Sequence, residues 1–502
     1  MQPRHVYLLM GLVFAGCGGP TRLELRGAGI APAARSMPGF RGATASQALT
    51  EQVCPGLPAR LAVVIPPGSG ATLNGPYPES FADVQGTLYF ATNLSDGSAA
   101  LWRSNGTQAG TTRVKSFPAA PVGIPALRNL MPVGPRVFFQ LDEPATGGEL
   151  WVSDGTEAGT HRVEDLTPGP EGTHLNFVAA QNGKLTFMRQ WSPTPGAPEL
   201  ELWHTDGTPE GTLRFARFGP ESALGNMSLR VGPYQLFFLS SAAQGTALWR
   251  TDGTAAGTSL VKKVDAQPVP IVGTGQAGDV GLFLFADGAN TEVWRTDGTT
   301  AGTRRVDAFS KGVTLLGTLK GNAYLASIDA SSMRMRIQRL SLSGGGKGSV
   351  ATLPNPHAGE EAAYPYLQQY TVSGGRLFFS VAIASPGPAP RAATLWTSDG
   401  TTAGTQPLSE ALSLSDEYAS PLFPVGQGAA LFAATAPGEG LEPWFTHGTV
   451  ASTLPLADIA TRGKSSLPEG FTRVGDRIYF RAIDDTGSFQ VWFIPLRDCD
   501  DT

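Results

Sequence analysis

A repeated motif, Leu-Trp-x-x-Asp-Gly-Thr-x-x-Gly-Thr, constrains this 502-residue chain more than any other feature. A tryptophan occupies the same place in eight units and Ile337 fills a ninth place, with successive positions 43 to 59 residues apart. A repeat of this period predicts an array of small structural units rather than a set of unrelated domains. The tryptophans are Trp102, Trp151, Trp203, Trp249, Trp294, Trp396, Trp444 and Trp492.

Each unit is predicted to hold four short strands. In the first unit they cover residues 80–85, 88–91, 100–103 and 111–117, which are aromatic or β-branched runs bounded by Gly, Asn or Asp. Four antiparallel strands per unit are typical of a β-propeller blade. We therefore expect an all-β single propeller of nine four-stranded antiparallel blades, with repeats from about residue 80. Eight blades, with residues 310–355 irregular, and two smaller rings are the alternatives.

The Asp-Gly-Thr turn between the third and fourth strands is the most regular part of the motif. Asp accepts hydrogen bonds from backbone N–H groups of its own turn, and Gly supplies a positive φ. We therefore predict a structural role for the turn, and we expect the tryptophan to pack flat between neighbouring blades. Asn105 and His447 replace the aspartate in two units, and units six and nine lack the turn. The turn aspartates are Asp154, Asp206, Asp252, Asp297 and Asp399.

The pattern resembles the ELWxxDGT repeat family of secreted proteins and lipoproteins, which is common in myxobacteria, and the resemblance covers most of residues 59–497. The family's glutamate stands at Glu149, Glu201, Glu292 and Glu442. The turn also resembles the Asp-box of sialidase-type propellers, which is structural there. The aspartate spacing matches no known calcium loop. We expect no cofactor, with calcium as the alternative.

The first residues predict export. An apolar run, Val6 to Ala15, is too short to span a membrane and is typical of a signal peptide over residues 1–16. Phe14-Ala15-Gly16-Cys17 resembles the lipobox of bacterial lipoproteins, which implies lipidation of Cys17 and contact with a membrane through that lipid only. Gly18 in place of Asp implies the outer membrane or cell surface. An ordinary secretory signal is the alternative. Residues 17–52 are predicted to form a flexible tether.

The two ends of the predicted propeller, residues 53–499, are complementary. The last unit has no fourth strand, whereas residues 59–66 have the character of a fourth strand that belongs to no earlier unit. We expect this segment to pair with the last third strand and close the ring. Cys54 and Cys499 flank those two strands, so an exported chain is expected to join them in a disulfide. Two free thiols are the alternative, and residues 500–502 are a tail.

No catalytic motif is found in the sequence. The six histidines are scattered, and the zinc and nucleophile-elbow patterns are missing. Residues 344–349 are glycine-rich but are predicted to form a turn. A net charge of −5 without a basic stripe argues against nucleic acid as a partner. We expect a monomeric binding or scaffold module rather than an enzyme. The alternatives are a glycan- or peptide-acting hydrolase or lyase, with carboxylates at the propeller centre, and a purely structural envelope protein.

The candidate ligand face lies opposite the Asp-Gly-Thr turns, because the loops there differ from unit to unit. The loops at 190–199, 354–370, 383–393 and 409–421 are long, and variable loops on a rigid scaffold commonly carry function. Their aromatic and acidic residues suit a glycan or a peptide, and exposed residues without a ligand are the alternative. These residues are Trp191, His357, Glu360, Glu361, Tyr364, Tyr366, Glu417 and Tyr418.

Overall fold

Antiparallel four-stranded sheets follow one another along the described part of the chain. A computed structural model describes residues 53–498 except 68, 70–75, 120–125, 195–196, 220–221, 289, 345, 411, 414–420 and 436–437. The chain divides into two units, 1–49 and 50–502, and every described residue belongs to the second. The predicted signal peptide, Cys17, the tether, Cys499 and the tail lie outside the described residues.

Nine sheets form nine blades in a ring, which confirms the predicted β-propeller. Blades one to three contain β3 (Tyr77–Val84), β4 (Thr87–Asn93), β5 (Ala99–Ser104), β6 (Thr111–Phe117); β7 (Leu127–Val133), β8 (Arg136–Glu143), β9 (Gly147–Ser153), β10 (His161–Glu164); β11 (His174–Gln181), β12 (Lys184–Thr194), β13 (Ala197–Thr205) and β14 (Leu213–Phe218). Blades four to six contain β15 (Ala223–Val231), β16 (Tyr234–Ser241), β17 (Gly245–Thr251), β18 (Ser259–Asp265); β19 (Ile271–Ala277), β20 (Val280–Asp287), β21 (Asn290–Thr296), β22 (Arg304–Phe309); β23 (Thr314–Leu319), β24 (Asn322–Asp329), β25 (Arg334–Ser341) and β26 (Lys347–Thr352).

Blades seven and eight contain β27 (Pro365–Ser373), β28 (Arg376–Ile383), β29 (Ala392–Ser398), β30 (Gln406–Ser409); β31 (Leu422–Gly426), β32 (Ala429–Thr435), β33 (Leu441–Thr446) and β34 (Leu454–Pro455), with the 3₁₀ helix η1 (Val450–Ser452) before β34. Blade nine contains β35 (Glu469–Val474), β36 (Arg477–Ile483) and β37 (Phe489–Asp498), joined by β1 (Val53–Pro55) and β2 (Ala59–Ala62). Residues 310–355 form the regular sixth blade, so the interpretations with eight blades and with two rings are wrong.

The core lies between neighbouring blades. The second strands are apolar on both faces, as in β28, where seven of eight residues are buried. A strand with two apolar faces must be covered on both sides. Each hydrophobic cluster accordingly combines residues of two adjacent blades: Leu101 of blade one packs with Phe139 of blade two in one of them. Adjacent blades therefore follow one another around the ring in sequence order.

The first strand of every blade carries a register shift against the second strand. In blade one it falls between Glu79 and Ala82, and in blade two between Arg128 and Met131. Ser80 and Asn129 occupy these bulges with positive φ values of 56° and 59°. An extra residue bends a strand and increases its twist. The bulges therefore curve the first strands, each of which contacts the first strand of at least one neighbouring blade at the centre of the ring.

The ring is closed by its N-terminal segment, as the sequence predicts. β2 pairs antiparallel with β37, with Arg60 opposite Trp492, and β1 pairs with the end of the same strand, with Val53 opposite Asp498. The predicted closing strand 59–66 is too long, because the ladder ends at Ala62. Beyond it, the backbone N–H groups of Val64 and Ile65 both donate to Gln490 Oε1 instead.

The closure includes a disulfide at Cys54. Its neighbour Val53 pairs with Asp498, the residue before Cys499. Cys499 itself lies outside the described residues, so its pairing with Cys54 stays a prediction. Among the helices of the described residues, none has the length and apolar character needed to cross a membrane.

Candidate functional site

The two ends of the blades differ, and we name them for what they carry. The turns between first and second strands and the Asp-Gly-Thr turns lie at one end, which we call the turn face. The hairpins between second and third strands and the connections between blades lie at the other end, which we call the loop face. This division follows from the antiparallel order of the strands in each blade.

Each Asp-Gly-Thr turn is closed by the same hydrogen bonds. In blade two, Asp154 Oδ1 accepts from the N–H of Thr156 at 2.9 Å and from its hydroxyl at 2.7 Å. Thr156 Oγ1 accepts from Gly159 N at 2.9 Å, and Thr160 Oγ1 donates to Thr156 O at 2.6 Å. The same set is built on Asn105, Asp206, Asp252, Asp297 and Asp399.

These hydrogen bonds favour the ionised form of four of the turn aspartates. Hydrogen bonds from the hydroxyl and N–H of Thr156 lower the pKa of Asp154. The same cause lowers the pKa of Asp206, Asp297 and Asp399. Each of these carboxylates is stabilised by hydrogen bonds from its own turn, which agrees with a structural role for the turn.

The turn of blade eight has His447 in place of the aspartate and is closed differently. Ser452 Oγ accepts from the N–H groups of His447 and Thr449, at 3.2 and 3.3 Å. Thr449 caps η1 in return by accepting from Ser452 N. A serine three residues after the turn threonine therefore takes the place of the missing carboxylate.

Five of the repeated tryptophans contact an aromatic ring of the second strand in their own blade. Trp102 stacks on Phe90 with ring centroids 6.0 Å apart and planes 8° from parallel. Trp151, Trp203 and Trp294 stack in the same way on the facing phenylalanine of their own blades. Phe117 of blade one contacts Trp151 of blade two edge-on at 5.3 Å. Trp151 therefore joins strands within its own blade and also contacts the preceding blade.

The motif glutamates have two different environments, which sequence reasoning did not separate. Glu201 accepts from the indole N–H of Trp203 at 3.0 Å and pairs with Arg214 at 2.6 Å. Glu292 makes the equivalent contacts with Trp294, at 2.9 Å, and Arg305, at 2.7 Å. Both carboxylates thus have a cation and an indole donor.

Glu149 and Glu442 are fully buried, as Glu201 is, but among the described residues neither has a cation as a hydrogen-bond partner. Burial raises the pKa of Glu149 to about 7 and raises that of Glu442. Glu442 accepts from Ser466 Oγ at 2.7 Å and from three backbone N–H groups. Neither carboxyl group reaches solvent, so neither can donate a proton to a ligand on the surface.

On the loop face, the structure brings several predicted residues together at the entrance to blade seven. Glu360 Oε1 lies 2.9 Å from His357 Nδ1, and Glu360 Oε2 lies 2.9 Å from Arg391 Nη1. Arg391 Nη2 donates to the backbone oxygen of Glu361 at 2.7 Å. The hydrogen bond from His357 and the charge of Arg391 lower the pKa of Glu360.

Two tyrosines follow this charged group in the chain. Tyr364 is 43% exposed, and its ring centroid lies 6.4 Å from that of Tyr366. Tyr366 is half-buried and packs against the core between blades seven and eight. We call His357, Glu360, Tyr364, Tyr366 and Arg391 the blade-seven cluster. Sequence reasoning missed Arg391, although it lies in the loop 383–393 that the length variation singles out.

The structure does not bring Trp191 to this cluster, since blades four to six lie between them along the ring. The expected loop at 190–199 is an extension of β12 and β13, with Trp191 paired to Glu199 and a register shift after it. The guanidinium carbon of Arg189 lies 4.8 Å from the Trp191 ring centroid. Glu417 and Tyr418 lie outside the described residues.

No group of three or more metal-binding side chains occurs in the described part of the chain. The glycine-rich residues expected to form a turn link β25 to β26, where Ser341 N donates to Gly346 O at 3.0 Å.

Comparison of the chain with known proteins gives matches among solved structures only. No protein-family model and no curated protein matches the chain. Among solved structures, it is similar to the puromycin hydrolase S511A mutant (14% identity over 84% of this chain and 61% of that one, TM-score 0.36). It is also similar to the β-propeller domain of the Trilobed protease from Pyrococcus furiosus (12% identity, 64% and 95%, TM-score 0.35).

A third similar structure is the acylaminoacyl peptidase of Pyrococcus horikoshii (11% identity, 83% of this chain and 59% of that one, TM-score 0.37). The chain spans 54–61% of the length of the first three solved structures it matches. Identities this low say nothing of a shared activity.

Proposed function

We propose that this chain is an exported, lipid-anchored β-propeller that binds a protein or glycan through its loop face. One observation carries the proposal. The turn face repeats one hydrogen-bond set in six blades, whereas the blade-seven cluster on the loop face has side chains that the repeat does not supply.

The chemistry of the blade-seven cluster fits such a ligand. The exposed ring of Tyr364 offers an apolar face of the kind on which a sugar ring or a peptide side chain packs. Glu360 is held from both sides by His357 and Arg391, so its carboxylate is fixed on the same connection that carries that ring. A fixed acceptor next to an aromatic surface loses little side-chain entropy when a hydroxyl or amide donor binds.

The test is binding of the purified chain to a defined glycan array and to a peptide panel. Tyr364→Ala is expected to reduce binding at least about tenfold, a typical loss for an aromatic contact at a binding site. Glu157→Ala is the matched control, because Glu157 is exposed on the turn face. Equal binding by the two variants would contradict a site at Tyr364.

The anchor is proposed from Cys17 and the resemblance of the residues before it to a lipobox, together with the resemblance to the ELWxxDGT family. Cys17→Ser should move the full-length chain from the membrane to the soluble fraction of the producing cell. Retention of this variant in the membrane would contradict lipid anchoring while leaving the test at Tyr364 unaffected.

A further inference from the structure

The glutamate of the repeat motif has a defined place in blades three and five. It accepts the indole N–H of the tryptophan two residues later and pairs with an arginine of the fourth strand, Arg214 or Arg305. Both arginines lie opposite the tryptophan in the ladder. This arrangement satisfies the indole donor and gives the carboxylate a partner of opposite charge.

Blade two has the same three residue types but a different contact. Arg162 lies opposite Trp151 in the ladder, as its counterparts do in blades three and five. Glu149 nevertheless turns inward, where it accepts from Thr173 Oγ1 at 2.8 Å and from Leu166 N at 3.4 Å. The indole nitrogen of Trp151 is buried and has no hydrogen-bond partner among the described residues.

The charged groups around Glu149 do not balance it in this position. Asp165 acts on it as a like charge and Arg162 as an opposite charge, and Arg162 is paired with Asp165 at 3.7 Å. One oxygen of Asp165 is itself buried without a partner in the part of the chain that the structure describes. A fully buried carboxylate with two neutral donors is costly when ionised, whereas the protonated acid fits.

We propose that Glu149 is a two-position switch: protonated, it holds the inward position on Thr173 and Leu166; ionised, it turns to Trp151 and Arg162 as its counterparts do in blades three and five. The outward position supplies the cation and the indole donor that the inward one lacks. The two positions use the same backbone, since the ladder of blade two already places Arg162 and Trp151 opposite each other.

The switch acts on the connection between blades two and three. Glu149 holds this segment through Leu166 and Thr173, and Arg189 Nη2 contacts Leu166 O at 2.6 Å and Thr167 Oγ1 at 3.0 Å. Arg189 in turn lies against Trp191 on the loop face. Ionisation of Glu149 therefore loosens the connection that holds Arg189 in place against Trp191 on the loop face. Only this last consequence rests on the proposed function.

Blade eight provides the internal control. Glu442 is equally buried but accepts four hydrogen bonds, and Pro455 occupies the place of the arginine opposite Trp444. Without that cation there is no outward position for an ionised Glu442. The connection after blade eight should therefore keep its protection where the connection after blade two loses it.

The experiment is hydrogen exchange of the intact chain between about pH 5.5 and about pH 8.5, corrected for intrinsic exchange, with the indole N–H signal of Trp151 as a second readout. Protection of the Leu166 amide should fall about tenfold as pH rises, and the Trp151 signal, identified by its loss in Trp151→Phe, should shift with the same midpoint. In Arg162→Ala, the midpoint of the loss of protection at the Leu166 amide should rise by about one pH unit, and the indole shift should be suppressed.

Glu149→Gln should remain protected at both pH values, and amides 459–466 should show no such fall. A Trp151 signal that does not move with pH, or moves equally in Arg162→Ala, would overturn the proposal even if Glu149→Gln fails to fold. A fall in protection without any indole shift would also overturn it, because ionisation would then only loosen the segment.

Discussion

Gly159 lies against the carboxylate of Asp154, so that a Cβ atom on Gly159 would overlap with Asp154 Oδ1. The same closeness recurs at the second glycine of six turns, from Gly110 with Asn105 to Gly404 with Asp399. The motif therefore requires glycine at this second position because the capping side chain occupies the space of a Cβ atom, and not because of the backbone angles of the glycine.

Gly159→Ala should destabilise the propeller by about 1–3 kcal/mol, the usual cost of forcing a methyl group into a packed site. The expected result is a Tm lowered by a few degrees in thermal unfolding. Gly312→Ala is the matched control, because no atom of the described residues lies within 4 Å of a Cβ there. Equal effects of the two substitutions would show that the turn relaxes freely.

Glu149 should make the stability depend on pH. Burial raises the pKa of its folded form from 4.5 to about 7, so the protonated acid is favoured in the folded state. The stabilisation of the folded state by this raised pKa is complete below about pH 4.5 and is lost as the pH rises through about 7. Above that pH, Glu149 no longer makes the free energy of unfolding change with pH. The loss is at most about 3 kcal/mol, since any movement of the carboxylate to Arg162 reduces it. Thermal unfolding of the chain and of Glu149→Gln across this range measures it.

Gln490 should be essential for ring closure. It is fully buried, its Oε1 accepts from Val64 N and Ile65 N, and its Nε2 donates to Ile65 O at 2.9 Å. Gln490→Ala leaves three backbone groups without a partner and should cost about 2–4 kcal/mol. Limited proteolysis should then cut near residues 63–66 before any other described segment. Unchanged proteolysis would mean that the ladder of β2 alone closes the ring.

Cys54 should be found joined to Cys499. Non-reduced peptide mapping should give one cross-linked peptide, and reduction should lower the Tm, because the bond closes a loop of most of the chain and is worth at most about 5 kcal/mol in the chain-entropy model. A peptide that joins Cys54 to Cys17, or a Tm unchanged by reduction, would contradict this assignment.

The sequence by itself determined the architecture, because a tryptophan, or Ile337 in its place, recurs once per blade and marks one third strand, even in the sixth and ninth blades, which lack the Asp-Gly-Thr turn. It also identified the closing segment, since an unpaired fourth strand at one end matched a missing one at the other. The end of that strand was not predictable. Ala62 to Ile65 continue the apolar pattern, and only the buried amide of Gln490 replaces the ladder there.

Only the tertiary structure decided what the motif glutamates and the variable loops do. Glu149 and Glu201 are equivalent in sequence, yet one is buried without a cation and the other is paired with Arg214. The sequence placed His357 and Glu360 on one face, but Arg391 joins them from a loop some thirty residues later. Contacts of this kind depend on side-chain direction and on which connections meet at the face, and neither is encoded in a local repeat.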